Sequence, residues 1–190
     1  MTVLSVQREY SRTIPPQYED GFAVFMGLKI KVDKRVLIPR PETEVLVMSA
    51  AKQLAGTGRK EFKVVDMCTG SGAVAIGLSN SLGGTKIKAV DVSIEALELA
   101  KENISDHGFS GSIEAVRSDM FSSFIIEEKH SYDAIVSNPP YVSDRDFELL
   151  DDWVKAEPAL ALYAGKNGMD YINILCEESG RYLKKGAFLA

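Results

Sequence analysis

A chain of 190 residues with 45% hydrophobic and 26% charged content is long enough to bury the core of one domain, and too mixed to be disordered or fibrous. Its net charge of −5 argues against a broad nucleic-acid footprint. The opening MTVLSVQREYSR lacks the apolar stretch of a secretory signal, and the longest uncharged run (67–85) is too rich in Gly, Ser, Thr and Asn to span a membrane, so a cytoplasmic protein without a membrane partner is expected. Two distant cysteines, Cys68 and Cys176, and two histidines, His107 and His130, form no metal-type spacing, and neither a metal nor a disulfide is expected.

In chain order, AVFMGLKIKVDKRVLI (23–38) reads as a small hairpin. PETEVLVMSAAKQLA (41–55) follows as a helix with Pro41 in its first turn and acids near its start. Strands are expected at 62–68 and 85–92, each followed by a helix-spaced segment, 71–82 and 93–107. Further strands are expected at 112–119 and 132–138, then a helix at 168–185 and a strand from Gly186 to the end. Such alternation predicts an α/β fold with a mostly parallel sheet covered by helices on both faces. The chain then divides into an arm and hairpin over 1–40 and one α/β domain over 41–190.

The chemistry begins at VVDMCTGSGAVA. Gly70 and Gly72 lie between a strand and a helix, where they let backbone approach a ligand at the helix N-terminus. Asp91 closes the second strand at the distance where an acid accepts the two hydroxyls of a ribose. The stretch also fits the dinucleotide fingerprint, so a dehydrogenase using NAD is a rival. Asp66 opposes that reading, because an acid just before the glycines repels a pyrophosphate and suits an ammonium group. Asp119, ending the third strand, suits an adenine amino group, with Met120 or Phe121 against the ring. Ribose, adenine and ammonium together describe S-adenosylmethionine better than NAD. Asp91 and Asp119 have a plainer reading as caps of the helices that follow them.

Beyond the fourth strand, VSNPPYVS forms a stiff corner. Asn138 and Pro139 each precede a proline and are held extended, and neither Pro139 nor Pro140 has an N–H to donate. What remains is a rigid set of acceptors beside the Tyr141 ring, suited to a flat group that carries N–H bonds.

Taken in order, D-x-x-x-G-x-G, the strand-two acid, S-D-x-F and N-P-P-Y resemble a Rossmann-like class I S-adenosylmethionine-dependent methyltransferase. RVLIPRPETEVLV (35–47) and EPALALYAGKNGMDYI (157–172) narrow the resemblance to the glutamine N5-methyltransferases of peptide chain release factors, the PrmC/HemK family. The resemblance implies S-adenosylmethionine as cofactor and S-adenosylhomocysteine as product. It implies cofactor contacts at Cys68, Thr69, Gly70, Ser71, Gly72, Asp91, Met120 and Asn138, to which the residues add Asp66 and Asp119. It places the acceptor amide on Asn138, Pro139, Pro140 and Tyr141, with Asn138, Pro139 and Tyr141 catalytic. Arg40 and Glu42 either pin the hairpin to the helix or, as the resemblance suggests, border the site. Three departures stand out. Family members usually have glycine at Cys68, they carry an N-terminal helical recognition domain that a partner protein would have to replace here, and their sheet continues beyond the strand starting at Gly186. The rival functions are an N6-adenine nucleic-acid methyltransferase and a non-catalytic cofactor-binding remnant.

Overall fold

A computed structural model describes residues 13–190, and the rest of the expected arm lies outside the described residues. In chain order the elements are α1 (Pro16–Asp20), β1 (Phe22–Phe25), β2 (Leu28–Lys31), α2 (Pro41–Ala55), β3 (Phe62–Met67), α3 (Ala73–Ser81) and β4 (Thr85–Asp91). They continue with α4 (Ile94–Asp106), β5 (Ile113–Arg117), β6 (Tyr132–Ser137), α5 (Asp144–Glu148), α6 (Asp152–Lys155), α7 (Asp170–Glu178) and β7 (Leu183–Leu189).

β3 to β7 form one parallel five-stranded sheet in the order β5-β4-β3-β6-β7. Alternation along the strands divides the core in two. Val64, Ile87, Ile113, Ala134 and Val136 face a cluster with α2, α3, α4 and the hairpin, whereas Val65, Met67, Val90 and Ile135 face Phe121, Leu175 and Tyr182. Near-continuous apolar strands are what a sheet covered on both faces requires. The expected α/β, Rossmann-like architecture with a preceding hairpin is therefore the one observed.

Three boundaries differ from the sequence reading. The hairpin ends at Lys31, because Asp33 turns the chain: its carboxylate accepts the Arg35 N–H at 2.9 Å and its carbonyl accepts the Val36 N–H at 3.1 Å. β5 is confined to Ile113–Arg117 rather than running over 112–119. The last helix stops at Glu178, tightens into a 3₁₀ turn at Ser179–Arg181, and β7 has begun by Leu183. The hairpin turn itself is tight, with both Met26 and Gly27 at positive φ, the geometry that two-residue hairpin loops favour.

Strand order reverses between β3 and β6. In an open parallel sheet this opens a crevice beyond the carboxyl ends of the strands. The glycine loop leaves β3 and N-P-P-Y leaves β6, so both meet at that crevice.

Candidate functional site

A cavity occupies the crevice. Its inner wall is made by the loop Cys68 to Ser71, by Asp91 and by Asp119 and Met120, and its outer wall by Arg35 to Leu37, Pro39, Pro158, Leu160 and Ala161. Asn138, Pro140, Thr43 and Tyr171 also line it.

The loop is built around two carboxylates. Asp91 accepts the Gly70 N–H at 2.8 Å and the Ser93 N–H at 3.0 Å, and burial raises its pKa above the usual carboxylate range. Ser93, and not Asp91, caps α4, its hydroxyl accepting the Ala96 N–H at 3.1 Å. Asp91 is thus free of a capping role and faces the cavity.

Asp66 is the second of these carboxylates, and it is the more deeply buried. Strand alternation sends it to the α3 side of the sheet, where it is 1% exposed and lies beneath the loop rather than in the cavity wall. One oxygen accepts both the Thr69 hydroxyl at 2.5 Å and the Ala75 N–H at 3.1 Å, while Oδ1 is buried without a partner. Burial pushes its carboxyl up to about 7. In this position the side chain braces the glycine loop and the start of α3 from below.

Cys68 sits in the left-handed region at φ 62, with Sγ 3.9 Å from the Met120 sulfur, and burial with Asp91 close by pushes its thiol up to about 12. Of the two alternatives for the third-strand end, Met120 reaches the cavity. Phe121 turns into the core, with its ring stacked on Tyr182 at 5.1 Å.

On the acceptor side, Ser137 fixes the end of β6 by donating its hydroxyl to the Met67 carbonyl at 2.7 Å. Asn138 follows at the cavity wall, and its Nδ2 donates to Thr43 Oγ1 at 3.3 Å. Tyr141 stands 63% exposed at the rim. The N-P-P-Y corner is backed by residues 162–168: Val142 N–H donates to the Leu162 carbonyl at 2.8 Å and Ala164 N–H to the Val142 carbonyl at 2.9 Å. Gly168, at φ 70, lies so close that an added Cβ would be 2.3 Å from the Tyr141 carbonyl oxygen.

Comparison with known proteins fits this geometry. The methyltransferase small domain model matches residues 42–160, from the first turn of α2 to the wall after N-P-P-Y. The chain belongs to the methyltransferase small domain family. It is 40% identical over 179 residues to a release factor glutamine methyltransferase of Lactococcus lactis, covering 94% of this chain and 63% of that protein. It is 34% identical over 167 residues to a ribosomal protein uL3 glutamine methyltransferase of Francisella tularensis, covering 88% of this chain and 52% of that protein. The chain thus spans between one half and two thirds of the length of these curated relatives. Among solved structures, the human Mettl16 catalytic domain in complex with an RNA hairpin superposes with a TM-score of 0.62 at 15% identity, covering 87% of this chain and 70% of that one. At that identity the likeness speaks for the fold alone.

Within this methyltransferase domain the structure brings most of the expected residues together. Cys68, Thr69, Gly70, Ser71, Asp91, Asp119, Met120, Asn138 and Pro140 all line the cavity. Gly72, Pro139, Tyr141, Arg40 and Glu42 do not. Gly72 packs against α4, where an added Cβ would lie 3.5 Å from that of Ala100. Glu42 is exposed, and its neighbour Thr43 takes the place at the wall. Arg40 pairs with Glu157, whose second oxygen accepts the Ile38 N–H at 2.9 Å. Sequence reasoning missed Thr43, Glu157 and Tyr171.

The donor and acceptor set fits S-adenosylmethionine. Each carboxylate oxygen of Asp91 holds one backbone N–H and retains acceptor capacity for a ribose hydroxyl. Asp119 is exposed at the far end of the cavity, beside the Met120 thioether. Among the described residues no group of three or more His, Cys, Asp or Glu side chains is placed to hold a metal, and no helix is long and apolar enough to cross a membrane.

Proposed function

We propose that this chain carries the catalytic domain, over 41–190, of a cytoplasmic enzyme that methylates the side-chain amide nitrogen of a glutamine in a protein. The substrate of this reading is a peptide chain release factor presenting Gly-Gly-Gln. The relatives' names support glutamine as the acceptor. The observation that carries the reading is Asn138 at the wall of the cavity, its Nδ2 engaged by Thr43 and its Oδ1 accepting nothing from the described residues.

When bound, S-adenosylmethionine supplies a methyl group on a positively charged sulfur and departs as S-adenosylhomocysteine. Asp91 would hold the ribose hydroxyls, Asp119 would accept from the adenine amino group, and Met120 would pack against the ring. Cys68 to Ser71 provide the close backbone, and Asp66 and Gly72 act by shaping that loop. An amide nitrogen is a poor nucleophile, since its lone pair is delocalised into the carbonyl. Asn138 Oδ1 and the Pro139 carbonyl hold its two hydrogens, aim the nitrogen and favour the positive charge it gains as the N–CH3 bond forms and the S–CH3 bond breaks. The surplus proton leaves to water. Pro140 keeps the acceptors stiff, the Tyr141 ring covers the planar amide, and Arg40 holds the outer wall through Glu157. Catalysis in this reading is positioning and electrostatic preorganisation.

The test sets a Gly-Gly-Gln peptide and intact release factor against an adenine-containing oligonucleotide, with Asn138→Ala beside the unaltered protein. We expect label on glutamine, with transfer reduced on the order of 10²–10³ in Asn138→Ala and affinity for S-adenosylhomocysteine kept. Label on the oligonucleotide alone would overturn the substrate. Full activity of Asn138→Ala would overturn the mechanism.

A further inference from the structure

The Asn138 side chain poses a problem that its backbone does not solve. Ser137 and the two prolines fix the main chain, but the terminal amide torsion is soft and roughly two-fold, and its oxygen and NH2 ends have nearly the same shape. Only the orientation with Oδ1 toward the incoming amide gives an acceptor. Something must select it.

Thr43 is the polar side chain placed to do so. It is 8% exposed in the first turn of α2, between exposed Glu42 and half-buried Glu44, and it lines the cavity. Its Oγ1 lies 3.3 Å from Asn138 Nδ2, a contact across 95 residues of sequence. Thr43 is itself held at both ends of a short relay. Its N–H donates to the Arg40 carbonyl at 3.0 Å, and the Arg40 guanidinium pairs with Glu157, which is 5% exposed and follows N-P-P-Y in the chain. The first turn of α2 is thereby tied to Glu157, in the chain beyond α6, as well as to Asn138.

We propose that Thr43 is a positioning residue for methyl transfer: its hydroxyl oxygen takes one Nδ2 hydrogen of Asn138 and so presents Oδ1 to the acceptor amide. The proposal rests on the reading of Asn138 given above. A merely structural Thr43 would be served best by valine, which keeps its shape; a positioning Thr43 is served best by serine, which keeps its hydroxyl. In Thr43→Val, transfer should fall about tenfold, the worth of one hydrogen bond, with affinity for S-adenosylhomocysteine unchanged, and Thr43→Ser should stay within about twofold of the unaltered protein. Should the valine variant fail to fold, Thr43→Ala against Thr43→Ser isolates the same hydroxyl.

A second readout needs no substrate. In amide nuclear magnetic resonance spectra, the Asn138 side-chain N–H pair, assigned by its loss in Asn138→Ala, should be spaced differently from a free primary amide in the unaltered protein and in Thr43→Ser, and should move to the free-amide spacing in Thr43→Val. A pair that does not respond to valine, or serine as impaired as valine, overturns the role of Thr43 whether or not glutamine is the substrate. Added to Asn138→Ala, Thr43→Val should cost nothing more. A further loss there would show Thr43 acting on another group and would also end the proposal.

Discussion

The two sides of the cavity are built in opposite ways. The side formed by Cys68 to Ser71, Asp91 and Met120 comes from the ends of adjacent strands and the turns directly after them. Its polar groups are fixed at and between neighbouring strand ends, as where Asp91 takes Gly70 N–H and Asp66 takes Thr69 and Ala75. The opposite side assembles Thr43, Asn138 and the Glu157 wall from three segments, with Tyr141 exposed at its edge. A nucleoside of fixed shape suits the first construction. An open rim, braced from behind, suits an acceptor that arrives on another macromolecule.

That contrast predicts effects that separate cleanly. The largest comes from Gly168→Ala. The new Cβ would collide with the Tyr141 carbonyl oxygen in a backbone conformation already unfavourable to side chains, so N-P-P-Y or its backing must shift. Displacement of about 1 Å costs on the order of 10² in rate, and affinity for S-adenosylhomocysteine should hold, because the strand-end wall is untouched. A variant that transfers methyl groups normally, or loses cofactor affinity equally, would show that the two sides are not separable. On the opposite wall, Asp91→Ala removes a charge-assisted acceptor worth roughly 1.5–3 kcal/mol, so calorimetric affinity should fall at least tenfold. Unchanged affinity would move the ribose elsewhere.

The same contrast governs what could be read from the sequence. Strand ends, glycines and Asp91 are local features, and α2 spans the expected 41–55 because Pro41 and the acids mark its start. The position of Asp66 was also within reach, since Val64 and Asp66 share a strand face that packs on α3. Thr43 and Glu157 had no such signal. Thr43 contacts Asn138 across 95 residues and Glu157 contacts Ile38 across 119, so nothing in their own neighbourhoods reports the meeting. The overlong hairpin and final helix have a shared cause. Apolar spacing continues past Lys31 and past Glu178, while an Asp33 turn and a 3₁₀ turn end the elements through geometry that periodicity does not encode.

Cys68 is where the strand-end wall departs from the pattern of its family resemblance, and it carries the smallest effect. A non-glycine residue at φ 62 costs roughly 1–2 kcal/mol, which Cys68→Gly would relieve. Against that, glycine gives the unfolded chain more freedom, at a cost of about 0.5–1 kcal/mol, and the contact between Sγ and the Met120 sulfur at 3.9 Å is lost. These opposed terms nearly cancel, so denaturant unfolding should place Cys68→Gly within about 1 kcal/mol of the unaltered protein. Cys68→Val breaks the balance, because a β-branched side chain tolerates this backbone region far less well, and it should be the less stable of the two. If glycine proves as damaging as valine, the thiol's contacts with the Met120 wall outweigh the backbone strain, and the cysteine is then a packed part of the cofactor side rather than a tolerated substitute for glycine.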